Sequence, residues 1–156
     1  MIEALRQWAR RRMEDTATSL VKAGAAASFE IAEDDGLQLR VYRAVDGVMA
    51  EAWMTAGFEV SFLHLGEVYR TVQTAYDDEY QREVLDDFLA SVEAFIKGDY
   101  YEEVGERNGR VASRKIYFNV PGGTPTPWSA SLGLRAFVSS LLGYTKSTVR
   151  PHSTED

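Results

Sequence analysis

The chain contains SFEIA (28–32), LQLRVYR (37–43), VMAEAWM (48–54) and FEVSFLH (58–64), four short segments in which apolar and polar residues alternate. A period of two is typical of β-strands that bury one face. The turn-forming stretches EDDG, DG and TAG separate the segments, which favours antiparallel hairpins. A fifth alternating segment follows at residues 67–74. We therefore predict an antiparallel meander over residues 27–74, with Phe58, Val60 and Phe62 on one face of the fourth strand.

Two amphipathic helices are predicted on either side of the meander, and a third near the C-terminus. Residues 2–23 and 77–97 place apolar side chains at three- and four-residue steps, and a glycine follows each segment. Asn108-Gly109 predicts a hairpin turn. Thr126 is a candidate N-cap with Pro127 at the first position of the third helix. The expected fold class is α+β: an antiparallel meander sheet packed by an N-terminal helix, a central acidic helix and a C-terminal helix.

Length and composition are ordinary for one small globular domain. The chain has 156 residues, of which 45% are hydrophobic and 26% are charged. We expect a single domain over residues 1–143 and a flexible tail over residues 144–156. The sequence has no cysteine, which fits a reducing compartment. Residues 1–12 turn basic where a signal peptide needs an apolar run, and no stretch approaches about 20 apolar residues. We expect a cytoplasmic protein that does not contact membrane.

The strongest charge feature lies between residues 76 and 106, where eleven acidic residues stand against two basic ones, a local charge of −9. On a helical wheel of residues 77–97, four acids lie opposite the apolar side: Glu79, Glu83, Asp86 and Glu93. Like charges at this spacing cost about 0.2–0.5 kcal/mol per pair. Two interpretations stay open: the acidic face only keeps the protein in solution, or it docks a basic partner.

Motifs for other kinds of chemistry are weak or missing. We expect no catalytic residue, no cofactor and no metal, because no nucleophile elbow, zinc, phosphate-loop or calcium-loop motif occurs. The charge disfavours nucleic acid. Glu51 and Glu59 are either a carboxylate pair across the third and fourth strands or two outward glutamates on a solvated sheet face. The alternative function is a small-ligand-binding protein or enzyme with a pocket near His64 and Trp53.

The segment YDDEYQREVLDDFLASVEAFIKGDYYEEVGERNGR, residues 76–110, resembles the helix-then-hairpin segment of small acidic immunity proteins of bacterial toxin systems. The resemblance implies a cytoplasmic inhibitor that binds a cognate basic toxin or enzyme and covers its active site with carboxylates. Tyr101 is expected to be an apolar anchor at this interface. The expected partner-binding residues are Glu79, Glu83, Asp86, Asp87, Tyr101, Glu102 and Glu103.

Overall fold

In the computed structural model the chain divides into two compact units, and the structure describes residues 2–118, 128–131 and 145–149. The first unit contains the described residues up to 97, and the second contains those from 98 onwards. The first unit comprises α1 (Ile2–Lys22), β1 (Ala26–Ala32), β2 (Gly36–Arg43), β3 (Met49–Thr55), β4 (Val60–Leu65), β5 (Tyr69–Thr74) and α2 (Asp78–Lys97). The second comprises β6 (Tyr100–Arg107), β7 (Arg110–Phe118), β8 (Trp128–Ser131) and β9 (Thr145–Val149).

The single domain expected over residues 1–143 stays a prediction, because compactness alone does not show that each unit folds independently. Within the described ranges, no helix is both long and apolar enough to cross a bilayer.

The first unit is a five-stranded antiparallel sheet in the order β1-β2-β3-β4-β5, with both helices packed on one face. The predicted meander is confirmed, including its fifth strand. One side of α1 is buried at three- and four-residue steps, as an amphipathic helix requires. The sheet face below the helices carries the buried side chains Leu37, Leu39, Val41, Ala50, Ala52, Met54, Leu63 and Leu65.

Phe58 departs from the predicted alternation of the fourth strand. It has a φ of +60° and precedes β4, which begins at Val60. Its side chain is fully buried and lies near the guanidinium of Arg6 in α1, 6.0 Å from ring centroid to carbon. Val60 and Phe62 lie on the opposite face, which neither helix of the described residues covers and which we call the helix-free face. The prediction that these three residues share a face is therefore wrong, because the left-handed backbone at Phe58 interrupts the period of two.

The second unit is a four-stranded antiparallel sheet in the order β8-β7-β6-β9. Strands β6 and β7 form the predicted hairpin. Asn108 and Gly109 both have positive φ, at +51° and +71°. A type I′ turn requires positive φ at both central residues, and asparagine and glycine are the residues that accept it most easily.

The prediction of a C-terminal helix is wrong where the structure describes that segment. Trp128–Ser131, expected in its first turn, forms β8, and Trp128 pairs with Ile116 while Ser131 pairs with Ser113. Serine has a low helix propensity. The backbone N–H and C=O groups at the edge of β7 can form hydrogen bonds with an extended segment. The helices in the described part of the chain are α1 and α2. Residues 132–144, where the predicted helix would continue, lie outside it.

Part of the predicted tail is a strand. Residues Thr145–Val149 form β9, which pairs with β6. The rest of the tail, residues 144 and 150–156, lies outside the described residues.

Candidate interaction surface

The acidic helix α2 begins with an N-cap. The Asp77 carboxylate Oδ1 accepts a hydrogen bond of 2.8 Å from the backbone N–H of Tyr80. This bond satisfies one of the free amides of the first turn, and a negative charge there interacts favourably with the helix dipole. Asp78 forms a 3.1 Å ion pair with Arg82 one turn later. The first acids of the segment therefore have a structural role in starting the helix.

Three of the predicted partner-binding acids form an exposed stripe along α2, which we call the acidic stripe: Glu79, Glu83 and Asp87. They are spaced by four residues, so they lie one above the other on the helix surface. Within the described part of the chain, no carboxylate of the three forms an ion pair or a hydrogen bond; the Ser91 hydroxyl bonds only the backbone carbonyl of Asp87. The acidic stripe is therefore a row of like charges that the described residues leave unneutralised.

Asp86 differs from the acidic stripe because the protein neutralises it. Its Oδ1 lies 2.8 Å from Nη2 of Arg12 and accepts a 2.9 Å hydrogen bond from Nε of the same arginine. This pair joins α1 to α2. A second cation, Arg82, lies over the ring of Trp8, 4.6 Å from its centroid, and also connects the two helices. The predicted role of Asp86 in partner binding thus competes with a bond inside the first unit.

Two exposed tyrosines lie at the N-terminal end of the acidic stripe. Tyr76 is 79% exposed and Tyr80 is 45% exposed, large fractions for aromatic side chains. Tyrosine combines apolar area with a hydroxyl and is enriched at protein–protein interfaces. The sequence placed both rings beside the acids, but it did not show that they are exposed.

The predicted partner residues of the second unit contact their own hairpin. The Tyr101 ring is half-buried and stacks on Tyr117 of β7 with centroids 4.9 Å apart. Glu102 lies 3.8 Å from Nη1 of Arg114, and Glu103 accepts a 3.5 Å hydrogen bond from the Tyr117 hydroxyl. All three positions therefore have cross-strand partners, as the β6–β7 register requires.

The helix-free face of the first sheet holds a buried carboxylate. Glu51 is 8% exposed, and its Oε1 accepts a 2.9 Å hydrogen bond from Nε of Arg40 and another from the Gln38 amide. Its Oε2 lies 2.9 Å from Nδ1 of His64, the residue opposite it on β4. The hydrogen bond to Glu51 raises the pKa of Arg40. Glu59 is exposed in the turn before β4, and the residue opposite Glu51 is His64, so the candidate pair of Glu51 and Glu59 does not form. Of the two glutamates, Glu59 is solvated as in the alternative interpretation, whereas Glu51 is buried.

A shallow recess lies beside Trp53 on the same face. It has a volume of about 210 Å³ and is lined by Ala32, Asp34, Asp35, Gly36, Gln38 and Trp53. His64 is not among the lining residues. The Trp53 ring stacks on Phe62, with centroids 4.8 Å apart and planes inclined by 19°. The structure therefore places a recess near Trp53, and its lining residue Gln38 is hydrogen-bonded to Glu51, but His64 does not line it.

A bidentate ion pair closes the turn between β2 and β3. Arg43 donates from Nε and Nη2 to the two carboxylate oxygens of Asp46, at 2.9 and 2.7 Å. The side-chain hydrogen bonds from Arg43 hold the pKa of Asp46 below its usual range, and the N–H of Val48 adds to this effect. Arg43 also donates to the carbonyl of Phe95 and lies over its ring, so it ties the turn to α2.

Among the described residues, no group of three or more His, Cys, Asp or Glu side chains could hold a metal ion. Comparison of the chain with protein-family models, with curated proteins and with solved structures finds no match. Any functional inference therefore depends on the surface chemistry of the described residues.

Sequence reasoning missed Gln38 and Arg40 as partners of Glu51. It named Trp53 for a pocket but missed the β1–β2 turn residues Asp34 and Asp35 that line the recess. A signal for the first was present. The alternation of LQLRVYR places Gln38 and Arg40 on one face of β2. Once the register of β2 and β3 is known, Glu51 lies on the same face of the sheet.

Proposed function

We propose that this chain is a protein-interaction factor of the immunity type, which binds and neutralises a cognate basic toxin or enzyme through an acidic face. The observation that carries the proposal is the acidic stripe: Glu79, Glu83 and Asp87 are exposed and have no ion pair within the described residues. The cytoplasmic location expected from the sequence is part of the same proposal.

Repulsion between the carboxylates of the acidic stripe lowers the stability of the free protein. Glu83 lies four residues from both Glu79 and Asp87, and each like-charge pair costs about 0.2–0.5 kcal/mol. A basic partner removes this repulsion on binding. Complementary fields also speed the encounter of the two proteins, and this effect weakens as salt screens the charges. The exposed rings of Tyr76 and Tyr80 add apolar contact area beside the charges.

The other predicted partner residues have smaller roles in this proposal. Asp86 can contact a partner only if it shares its carboxylate with Arg12 or breaks its ion pair with that residue. Tyr101, Glu102 and Glu103 are held by their neighbours on β7. A carboxylate that already has a contact inside the protein must break it to bind a partner, so it contributes less net binding energy than a carboxylate without such a contact.

The test compares two double charge reversals with the same net charge. Glu79→Lys with Glu83→Lys changes the acidic stripe. Glu59→Lys with Glu67→Lys is the matched control, because both of these exposed acids lie in turns of the first sheet and have no ion pair among the described residues. The tagged proteins are used to capture partners from the native cell lysate at low and high salt, and the captured protein is then purified for measurement of its association rate constant.

We expect the wild-type chain and the control to capture the same basic protein at low salt and to lose it at high salt. The stripe variant should associate at least about tenfold more slowly than the control, with unchanged circular dichroism. Equal association rates for the stripe variant and the control would contradict the proposal.

A second candidate function is a small-ligand-binding protein or enzyme that uses His64. One contact favours it: Oε2 of Glu51 lies 2.9 Å from Nδ1 of His64, and a carboxylate beside one ring nitrogen can orient an imidazole for chemistry at the other, Nε2. A thermal-shift screen of small metabolites tests this candidate. A ligand that stabilises the wild-type chain, but not a folded His64→Gln variant, would support it over a purely structural ion pair.

A further inference from the structure

We propose that the recess beside Trp53 receives one cationic side chain, an arginine or lysine, of a protein partner. This inference rests on the proposed function for the basic character of the partner, but it concerns another surface, the helix-free face of the first sheet. The proposal is based on the recess and its aromatic wall. The carboxylates at the rim indicate that the ligand is positively charged.

The aromatic part of the recess wall is Trp53. On β4, the cross-strand neighbour of Trp53 is Phe62, and the two rings stack. On β2, the neighbour of Trp53 is Gln38, which lines the recess. Trp53 therefore has Phe62 stacked on its ring on the β4 side and lines the recess together with its β2 neighbour Gln38. The face of an indole attracts Lys and Arg cations through the ring quadrupole, and tryptophan does so more strongly than the other aromatic residues.

The rim of the recess carries two carboxylates with no cation of their own. Asp34 and Asp35, in the turn between β1 and β2, are exposed and form no hydrogen bond or ion pair with any described residue. The preceding acid, Glu33, is instead bound by Arg10 of α1. Two unneutralised carboxylates beside an indole face favour a cation and repel an anion.

The backbone holds this turn close to β3. Gly36 has a φ of +136°, and a Cβ atom at this position would lie 2.0 Å from the carbonyl oxygen of Met54. Only glycine permits this close approach. The approach brings the two aspartates to the end of the sheet where Trp53 lies.

The size and remaining polar lining of the recess fit a single side chain. Its volume of about 210 Å³ is smaller than the roughly 300–1,000 Å³ of pockets that enclose a drug-sized ligand. Gln38 donates its amide N–H to Glu51, so its Oε1 is an acceptor available to a ligand N–H. A guanidinium or ammonium group has donors only, which matches carboxylates and an amide oxygen. Val72, 55% exposed on β5, extends the same face with apolar area for the surrounding contact.

The test uses an amino-acid pair that differs only in charge. Uniformly 15N-labelled protein is titrated with N-acetyl-arginine amide and, separately, with N-acetyl-citrulline amide, its neutral counterpart. The readout is the indole N–H resonance of Trp53, which a Trp53→Phe variant identifies among the three tryptophans of the chain. We expect a saturable shift of this resonance with the arginine probe at millimolar concentration and little shift with the citrulline probe.

Two variants locate the binding site. Asp34→Asn with Asp35→Asn should weaken arginine binding about fivefold, in keeping with the loss of two exposed charge contacts. Glu79→Gln with Glu83→Gln, on the acidic stripe, should leave it unchanged. No saturable shift, an equal response to citrulline, or unchanged affinity in the aspartate variant would each overturn the assignment.

These results are separable from the test of the proposed function. If arginine fails to bind but partner capture still depends on Glu79 and Glu83, the recess assignment falls and the proposed function stands. If arginine binds in the recess but charge reversal of the stripe does not slow association, the recess assignment stands and the proposed role of the stripe falls.

Discussion

Replacing Glu83 by lysine should make the protein more stable while it weakens partner binding. Glu83 is exposed in the second turn of α2, with Glu79 one turn before it and Asp87 one turn after it. Glutamate and lysine have similar helix propensities, so the exchange leaves that contribution nearly constant. The position is also past the first turn, where the helix dipole acts most strongly.

The magnitude follows from the two neighbouring pairs. Each like-charge pair at i,i+4 costs about 0.2–0.5 kcal/mol, and an opposite-charge pair contributes a similar amount with the reverse sign. Replacing two repulsive pairs by two attractive ones should raise the free energy of unfolding by about 1 kcal/mol, or about half of that for Glu83→Gln. For a chain of this size, the melting temperature should rise by about 2–4 °C.

The assay is urea unfolding followed by circular dichroism, at low salt and again at about 1 M salt, where the Debye length is about 3 Å. The stabilisation should shrink at high salt, because the contacts are exposed. Glu67→Lys, an exposed acid in the turn before β5, is the control and should change stability little.

A Glu83→Lys variant that is less stable than the wild type at low salt would refute this reasoning. It would mean that Glu83 makes a favourable contact in the folded protein, so that the acidic stripe is not an unneutralised row of charges.

Three further outcomes follow from contacts in the first unit. Gly36→Ala should lower the free energy of unfolding by about 2 kcal/mol or more, since its φ of +136° disfavours alanine and the new Cβ meets the Met54 carbonyl; wild-type stability in urea would contradict this. Asp46→Asn should make the free energy of unfolding depend less on pH below about pH 4. Arg43 lowers the folded-state pKa of Asp46, so the ionised carboxylate stabilises the fold above about pH 4, and this stabilisation is lost as pH falls through the lowered pKa. Urea midpoints measured from neutral to acidic pH check this. Glu51→Ala should cost about 1–3 kcal/mol, because it leaves the Gln38 and Arg40 donors without their acceptor and removes the carboxylate beside His64; Glu51→Gln should cost less in the same urea assay.

Local patterns predicted most of the elements. The helix predicted over residues 2–23 is observed at Ile2–Lys22, and that over residues 77–97 at Asp78–Lys97. Both are followed by glycines in the left-handed conformation, Gly24 at +75° and Gly98 at +78°. These signals act within a few residues of each other, so they do not depend on how the chain packs.

The choice of buried sheet face was not predictable in the same way. Alternation in VMAEAWM shows that two faces exist but not which of them meets the helices. The structure buries Ala50 and Ala52 below the helices and leaves Trp53 and Phe62 on the other face. Small side chains let a helix approach the sheet closely, so packing outweighed the larger apolar area of the aromatic rings.

The incorrect C-terminal helix has a related cause. A capping residue, a proline and spaced apolar side chains predicted helix from Trp128, yet Trp128–Ser131 is a strand. The deciding partner is β7, which begins 18 residues earlier in the sequence, at Arg110. A free strand edge provides hydrogen bonds that local propensity does not register.

The type of most elements and the row of acids along α2 were readable from the order of the residues, because helical and strand periods and charge spacing are properties of neighbours along the chain. Packing alone distinguished Asp86, bound by an arginine 74 residues away in α1, from Glu83, which pairs with no cation among the residues that the structure describes. Packing also built the recess, since it joins the β1–β2 turn to a tryptophan on β3. Both depend on contacts between segments far apart in the sequence, and the energies of such contacts are set only when the sheet and helices close around one core.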